Sequence, residues 1–319
     1  MITPQVSIIL PVYNEAENLP VLWAELEPVL TNLPVKAEVV IVDDGSTDGS
    51  PAIARELARA DPRVRLVRLA VNSGLTAALL AGFAASRGDS VVTMDSDLQY
   101  DPADIPRLLD KLKEGYDVVS GWRHDRQDPF WTRRLPSQAA NALISWITGV
   151  RLHDYGCALK VYRREILQDV ALYGEMHRFL PALCRWVGAT VGELPVSHWP
   201  RRRGVSKYGL SRMVRVLLDL LTVKFLMSYW TRPIQIFGLL GLVLGGLGIS
   251  LGAVLSYQKL FHEMPLANRP LLLLAVLLVL VGFQFVSIGL LGEMLVRTYH
   301  ESQRKPVYTV REITSGGMS

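Results

Sequence analysis

Two long apolar segments near the end of the chain constrain its fold more than any other feature. Ile234–Tyr257 contains no formally charged residue, and Leu271–Val296 contains one, Glu293. As helices rising about 1.5 Å per residue, both are long enough to cross a hydrocarbon layer of about 30 Å. A helix of this length in a soluble core normally keeps a polar face. The sequence therefore predicts two transmembrane helices rather than two buried helices of a large soluble core.

The charges beside these segments predict the orientation of the chain. Residues 201–232 carry eight Lys or Arg against one acidic residue and residues 297–311 add four, whereas the linker 258–270 carries two. Because basic loops stay in the cytoplasm, we predict a multi-pass protein of the inner (cytoplasmic) membrane with both termini and the first 200 residues cytoplasmic. No basic start followed by an apolar run is present, so no secretory signal is predicted. Cys157 and Cys184 are then expected to be reduced thiols.

The first 200 residues alternate short apolar runs with helical patterns. Four runs read as strands, Val6–Val12, Glu38–Val42, Val64–Leu69 and Val91–Met94. This alternation predicts an α/β domain with a mostly parallel sheet and helices on both faces. The predicted organisation is a cytoplasmic α/β domain (1–200), a basic juxtamembrane loop with an interfacial helix (201–232), two transmembrane helices (233–297, with spans 234–257 and 271–296) and a cytoplasmic tail (298–319).

Polar residues stand where three of these predicted strands end. Asp95 and Asp97 follow the fourth strand, Asp43 and Asp44 follow the second, and Tyr13-Asn14-Glu15 follows the first. Ligands of open α/β sheets collect at the carboxyl ends of strands, and two aspartates at this spacing offer hard oxygen ligands to Mg²⁺ or Mn²⁺. Taken alone, each of the two aspartate pairs is more often a polar turn. No Gly-x-Gly-x-x-Gly follows the first strand and no P-loop occurs, so any nucleotide would be held by carboxylates and a metal.

Basic residues provide candidate phosphate contacts. Arg123 follows a predicted strand at 117–120, and residues 200–208 combine three arginines, a lysine and a serine. Such groups suit phosphate oxygens, although a solvated arginine and a polybasic anchor on membrane lipid explain the same charges equally well. No nucleic-acid motif accompanies them, so no nucleic-acid partner is predicted. Residues 136–150 fit a core helix or an interfacial helix, and we favour the interfacial one.

Glycines recur regularly in the first apolar segment. They occupy Gly238, Gly241, Gly245, Gly248 and Gly252, at steps of three and four. This spacing puts them on one helix face, which allows close approach of another helix, either the second span or another subunit. A homo-oligomer is predicted on this basis. Glu293 lies near the cytoplasmic end of the second span, where we expect it to snorkel to the interface rather than act as a buried functional carboxylate.

Seven motifs in order resemble one enzyme family. They are VSIILPVYNEAENL, VVIVDDGSTDGS, NSGLTAALLAGF, MDSDLQYDP, SGWR, DYGCALKVYRR and RRRGVSKYGL. Together they resemble family 2 glycosyltransferases of the polyprenyl-phosphate type. With two C-terminal spans, the chain is similar to the bacterial undecaprenyl-phosphate glucosyltransferase group and to dolichol-phosphate mannose synthase.

The resemblance implies a GT-A catalytic domain that binds a nucleotide-sugar with Mg²⁺ or Mn²⁺ and transfers a hexose, with inversion, to polyprenyl (undecaprenyl) phosphate. Glucose from a UDP-sugar is expected, with mannose from GDP-mannose as the alternative. By similarity, the nucleoside would be held by Pro11, Tyr13, Glu15 and Asp44. Asp95 would lie at the sugar and the metal, with Asp97 and Gln99 as metal ligands. The donor diphosphate and acceptor phosphate would be engaged by Arg123, Arg201, Ser206 and Lys207. Leu75 stands where family members often have Lys, His or Arg.

Asp154 is a candidate catalytic residue whose role has two interpretations. It would act as a base, or it would orient an arginine or the sugar. A phosphate monoester is largely dianionic at neutral pH, so the acceptor needs positioning more than deprotonation.

Two other classes of protein fit the sequence less well. A processive polysaccharide synthase should carry Gln-x-x-Arg-Trp, but Ala182 stands in the Gln position before Arg185-Trp186. A catalytically inactive membrane scaffold would be expected to lose the acidic pair, which is present.

Overall fold

The computed structural model describes residues 4–124, 135–170, 172, 176–200, 233–262, 265 and 270–303. The chain divides into two compact units, Met1–Val223 and Lys224–Ser319. The predicted juxtamembrane segment 201–232 lies outside the described residues, and so do three predicted site residues, Arg201, Ser206 and Lys207.

The first unit alternates strands and helices, as predicted. Its elements in chain order are β1 (Val6–Val12), α1 (Leu19–Asn32), β2 (Ala37–Asp43), α2 (Ser50–Ala60), β3 (Val64–Arg68), α3 (Leu75–Ala85), β4 (Ser90–Thr93), α4 (Ile105–Lys113), β5 (Val118–Arg123), α5 (Leu135–Thr148), β6 (Lys160–Arg163), α6 (Arg164–Asp169), α7 (Leu180–Trp186) and β7 (Val191–Val196). Short 3₁₀ helices occupy Pro102–Asp104 and Met176–Phe179.

The strands form one mixed, mostly parallel sheet in the order β3-β2-β1-β4-β6-β5-β7. Among these strands β6 alone is antiparallel to its neighbours, with Lys160 opposite Thr93 of β4 and Ser120 of β5. The amino end of β6 therefore lies beside the carboxyl ends of β4 and β5. This arrangement brings the loop before β6 to the edge where the predicted site residues lie.

Helices cover both faces of the sheet, which confirms the prediction. β1 is buried along its whole length, and successive residues point to opposite faces. Ile8 packs in the cluster that contains the buried residues of α1 and α4, whereas Ile9 packs in the cluster under α3. A Cβ on Gly82 of α3 would lie 2.4 Å from Ile9 Cγ2, so the glycine permits this close helix-to-sheet approach. Burial on both faces explains why β1 is a continuous apolar run.

A buried carboxylate joins the amino ends of β1 and β2 to the loop after α3. Glu38 is 2% exposed and accepts hydrogen bonds from Ser7 Oγ (2.7 Å) and from Arg87 Nε (2.9 Å) and Nη2 (2.6 Å). Burial raises the pKa of Glu38, but the hydrogen bonds from Arg87 and Ser7 lower it by more, so the net pKa lies below the usual value. The charged form is therefore the one that stabilises the fold.

Glu38→Gln is expected to lower the free energy of unfolding at pH 7 by about 2 kcal/mol, because Arg87 and Ser7 lose a charged acceptor. Since the folded-state pKa is depressed, the stabilisation is present at neutral pH and is lost as the pH falls through the acid range. In urea unfolding, the difference in unfolding free energy between wild type and variant should therefore be smaller at pH 4 than at pH 7. The control Glu114→Gln removes an exposed partner of Lys111 and should change stability by less than about 0.5 kcal/mol.

In the second unit, the residues that the structure describes form two helices, α8 (Ile234–His262) and α9 (Pro270–Gln303). Both are long and apolar enough to cross a membrane. The predicted glycine face makes their contact: a Cβ on Gly241 would lie 2.6 Å from the carbonyl oxygen of Gly282, and one on Gly248 would lie 2.7 Å from that of Ala275. The second span is therefore the partner of this part of the face. A homo-oligomer remains a prediction.

Gly241→Leu should lower the thermal unfolding temperature of the detergent-solubilised protein by several degrees, because even its Cβ would collide with the α9 backbone. Gly252→Leu is a matched control, since a Cβ there meets no atom within 4 Å among the residues described. Equal losses in both variants would contradict the importance of the α8–α9 contact. The particle sizes of the two variants in detergent also test the predicted homo-oligomer, because unchanged sizes would count against an oligomer formed through the glycine face.

Candidate active site

The carboxyl ends of β1, β2 and β4 meet at one edge of the sheet. Ser96 Oγ, in the turn after β4, donates a hydrogen bond to the carbonyl of Pro11 in β1 (2.8 Å). The backbone N–H of Asp44, directly after β2, donates to the carbonyl of Val12 (2.8 Å). These contacts bring Pro11, Asp44 and the Asp95–Gln99 turn together at the edge where α/β proteins bind their ligands.

The turns after β1 and β2 are tied to each other by polar side chains. The Asn14 N–H donates to Ser46 Oγ (2.9 Å), the Thr47 N–H donates to Asn14 Oδ1 (2.8 Å), and the Glu15 N–H donates to Ser50 Oγ (2.8 Å). Tyr13 and Glu15 are half-buried, so each presents part of its side chain at the surface. Three of the predicted nucleoside-binding residues, Tyr13, Glu15 and Asp44, thus lie on this pair of connected turns, and Pro11 lies near the end of β1.

Asp44 anchors the loop before α3. Its two carboxylate oxygens accept hydrogen bonds from the backbone N–H groups of Ser73 (2.7 Å) and Gly74 (2.9 Å). Gly45 has a φ of +67°, and a Cβ there would lie 2.5 Å from the Asn72 nitrogen, so the close approach of these two loops requires glycine. The sequence predicted a nucleoside contact for Asp44 and did not predict this loop contact. Each carboxylate oxygen can accept a further hydrogen bond, so the two roles are compatible.

The acidic turn after β4 holds its second aspartate in a buried position. Asp97 is 7% exposed and its Oδ1 accepts a hydrogen bond from the Gln99 N–H (3.2 Å), whereas Asp95 is half-buried. Gln99 is joined to Trp199 by two hydrogen bonds, from the Trp199 N–H to the Gln99 carbonyl (2.9 Å) and from Gln99 Nε2 to the Trp199 carbonyl (3.4 Å). The turn is therefore connected to the segment that leads into the basic residues after 200.

The residues of this turn suit a divalent metal. Two carboxylates and an amide oxygen are the hard ligands that Mg²⁺ and Mn²⁺ prefer. Within the described residues no group of three or more His, Cys, Asp or Glu is arranged to hold a metal ion. A metal held by one or two carboxylates needs water and phosphate oxygens to complete its shell, which is how Mg²⁺ commonly binds with phosphate substrates. The turn thus fits a metal that arrives with a diphosphate.

The buried Asp154 and the half-buried Arg123 form a bidentate ion pair at the same edge of the sheet. Arg123 Nε lies 2.6 Å from Asp154 Oδ2, and Nη2 lies 2.9 Å from Oδ1. Asp154 Oδ1 also accepts a hydrogen bond from the Gly156 N–H (3.0 Å). Burial lowers the pKa of Arg123, but its interactions with Tyr100 and Asp154 raise it by more, so the guanidinium stays charged. A carboxylate already shared with an arginine suits the orienting interpretation of Asp154 better than the base.

Two charged residues that the sequence analysis did not select flank Asp154. Lys160 is 4% exposed and its Nζ donates to the Tyr155 carbonyl (3.1 Å). Burial lowers the pKa of Lys160, and burial raises the pKa of the neighbouring Cys157 thiol to about 12. Glu193 of β7 contacts the His153–Asp154 backbone. Lys160 belongs to the motif DYGCALKVYRR, which could have identified it. Glu193 lies between Gly192 and Pro195, which are uncommon inside strands and hide β7 in the sequence.

Comparison with known proteins places the chain among relatives of nearly its full length. The model of Glycosyl transferase family 2 matches residues 7–171. The dodecaprenyl-phosphate galacturonate synthase of Rhizobium johnstonii is 43% identical over 316 residues, which cover 97% of this chain and 93% of the relative. An undecaprenyl-phosphate 4-deoxy-4-formamido-L-arabinose transferase of Pseudomonas savastanoi pv. phaseolicola is 38% identical over 311 residues, which cover 97% and 90%.

A solved structure shares the fold. Glucosyl-3-phosphoglycerate synthase from Mycobacterium tuberculosis, crystallised with Mn²⁺, UDP and phosphoglyceric acid, superposes with a TM-score of 0.56 at 21% identity, covering 69% of this chain and 78% of that one. The likeness confirms the predicted GT-A fold. The chain belongs to glycosyl transferase family 2. Its full-length relatives are the polyprenyl-phosphate type of transferase that the seven motifs predicted.

Proposed function

We propose that this protein transfers a sugar from a nucleotide-sugar to polyprenyl phosphate, with inversion, at the cytoplasmic face of the inner membrane. One observation carries the proposal: the acidic Asp95–Gln99 turn and the bidentate Arg123–Asp154 pair lie at one edge of the sheet of a family 2 domain. Relatives matched over 97% of the chain are named for transfer to polyprenyl phosphates. The two membrane-length helices suit an acceptor that resides in the bilayer.

On the donor side, Pro11 near the end of β1 and Tyr13, Glu15 and Asp44 on the turns after β1 and β2 would hold the nucleoside. Asp95, Asp97 and Gln99 would hold Mg²⁺ or Mn²⁺ together with the diphosphate. The bound metal supplies positive charge that stabilises the nucleoside diphosphate as it leaves. Asp95, the more exposed of the two aspartates, would also contact the sugar.

On the acceptor side, an oxygen of the lipid phosphate forms a bond to the anomeric carbon while the bond from that carbon to the diphosphate breaks. The phosphate needs no base in this step because it is already ionised. Asp154 engages Nε and Nη2 of Arg123, which leaves Nη1 outside that ion pair for a phosphate oxygen. Arg201, Ser206 and Lys207, which follow Trp199 closely in sequence, complete the proposed phosphate contacts.

The identity of the sugar is the finer part of the proposal. The motif resemblance predicts glucose from UDP-glucose, with mannose from GDP-mannose as the alternative. The relatives are named for galacturonate and 4-deoxy-4-formamido-L-arabinose. Because likeness over the whole chain outweighs a resemblance in motifs, the galacturonate donor is the first to be tested, beside the glucose, mannose and formamido-arabinose donors.

The surface of α5 suits the proposed membrane location. Ile144 is buried and Trp146 is 82% exposed, and the segment Leu135–Thr148 contains no charged residue. A helix with a buried face and an exposed tryptophan suits the headgroup region, in keeping with the predicted interfacial location.

The test uses the full-length protein in detergent with Mn²⁺, each labelled donor in turn, and undecaprenyl phosphate. Label is expected in the organic phase with one donor, and not with undecaprenol or after EDTA. The donor that reacts identifies the sugar. If no donor gives lipid-soluble label, the transferase proposal is wrong and the inactive scaffold gains support.

A further inference from the structure

The loop that carries Asp154 has no regular secondary structure of its own. Residues 151–159 connect α5 to β6 without forming a helix or a strand, yet Asp154 is buried and meets Arg123 with bidentate geometry. Bidentate contact requires the carboxylate plane to match the guanidinium plane. Groups outside the loop must therefore hold its backbone in place.

Glu193 of β7 holds the loop on one side. Its Oε1 accepts hydrogen bonds from the backbone N–H groups of His153 (2.9 Å) and Asp154 (3.1 Å), and its Oε2 lies 2.7 Å from His153 Nδ1. The His153 ring stacks on Trp122, next to Arg123, with ring centroids 4.2 Å apart. One carboxylate thus fixes the backbone of Asp154 and the ring beside its partner.

Lys160 holds the other side of the loop from within the sheet. Its Nζ donates to the carbonyl of Tyr155, the residue directly after Asp154 (3.1 Å). Because Lys160 lies between Thr93 and Ser120 in the register, its backbone is fixed by strands on both sides. An acceptor on β7 and a donor on β6 therefore hold the backbone on the two sides of Asp154, at the N–H groups of His153 and Asp154 and at the carbonyl of Tyr155.

We propose that Glu193 and Lys160 are positioning residues, which form a clamp that sets the Asp154 carboxylate against Arg123 and so places the guanidinium for the acceptor phosphate. This inference rests on the proposed function. Both residues act through Asp154, so their effect on transfer depends on the Asp154 carboxylate. Removing either one should misplace the ion pair without altering the turns that hold the nucleoside.

The test compares Glu193→Gln and Lys160→Met, each alone and combined with Asp154→Asn, in full-length protein. Gln keeps the size of Glu but puts an NH₂ group opposite N–H donors, and Met keeps the length of Lys without its donor. Each single variant is expected to lower kcat for transfer about tenfold or more and to keep the donor KM within about twofold. In the Asp154→Asn background, each should cause less than a further twofold loss, since contributions made through one group are not additive.

Asp117→Asn is the matched control. Asp117 also joins β5 to β7 by accepting a hydrogen bond from a backbone N–H, that of Thr190 (2.8 Å), but at the opposite end of these strands. It should leave transfer unchanged.

Amide hydrogen exchange supplies a readout that does not require transfer. Exchange in residues 153–156 should be at least about tenfold faster in Glu193→Gln and Lys160→Met than in wild type, and unchanged in Asp117→Asn. The clamp would be overturned if exchange in residues 153–156 were unchanged in Glu193→Gln and Lys160→Met. It would also be overturned if each variant lowered kcat by its full factor in the Asp154→Asn background. A wild-type protein inactive with every donor would instead overturn the proposed function, while the exchange data still decide the clamp.

Discussion

Asp97→Ala should reduce metal-dependent transfer by about 10³-fold or more while leaving the protein folded in the membrane. Asp97 is buried at the end of β4 and is the proposed ligand that brings the metal to the leaving diphosphate. Removing a group that stabilises charge in the transition state costs about 3 to 4 kcal/mol, which corresponds to a loss of this size. The measurement is kcat/KM for lipid-linked product at saturating Mn²⁺, with Mn²⁺ binding in the presence of nucleoside diphosphate measured in parallel.

Asp101→Ala provides a control from the same loop. Asp101 caps the short helix Pro102–Asp104 by accepting a hydrogen bond from the Ala103 N–H (2.8 Å). Its loss should cost about 1 kcal/mol of stability and leave transfer within about twofold of wild type. If Asp97→Ala retained more than a tenth of the wild-type rate, the metal-ligand proposal for Asp97 would be wrong.

Asp154→Asn should lower kcat about 10²-fold, the second largest effect that we expect. An amide can occupy the same space, but it replaces a carboxylate that accepts from Nε and Nη2 of Arg123 and from the Gly156 N–H. The guanidinium loses its charged partner and its fixed orientation, and a misplacement of about 1 Å costs about this factor. Steady-state kinetics with both substrates and the metal at saturation measure the effect.

The pH dependence separates the two roles of Asp154. If it only orients Arg123, the variant keeps the shape of the wild-type pH–rate profile at a lower rate. If it is the base, the acid limb of the wild-type profile disappears in the variant. Near-normal turnover in Asp154→Asn would exclude the base role and contradict the expected loss.

Local pattern was sufficient for much of the fold. Apolar runs and helical periodicity identified β1 to β4 and α1 to α4 because these elements are buried in the way that their patterns indicate. The polar ends of β1, β2 and β4 were also visible in sequence, since parallel strands leave the sheet at the same edge. β5 was predicted to end at Ser120, but it continues through Arg123. The glycine and the charge at its end hid this extension.

The remaining features depend on contacts between distant residues. That β6 runs antiparallel follows from its pairing with β4 and β5, which no local pattern reports. The burial of Lys160 depends on its position between β4 and β5. The hydrogen bond from the His153 N–H to Glu193 joins residues 40 positions apart in the sequence. Asp44 likewise contacts the backbone of Ser73 and Gly74, which lie 29 and 30 residues further along the chain.

The direction of β6 restricts how this part of the sequence can change in evolution. One short stretch provides both Asp154 at the sheet edge and Lys160 opposite Thr93. A single-residue insertion within β6 would turn every side chain beyond it to the opposite face of the sheet. Val161, for example, would then leave the core in which it now packs. An insertion between Asp154 and Lys160 would separate the carboxylate from the strand that anchors its loop. Homologues that keep this site should therefore vary in side chains here but not in length.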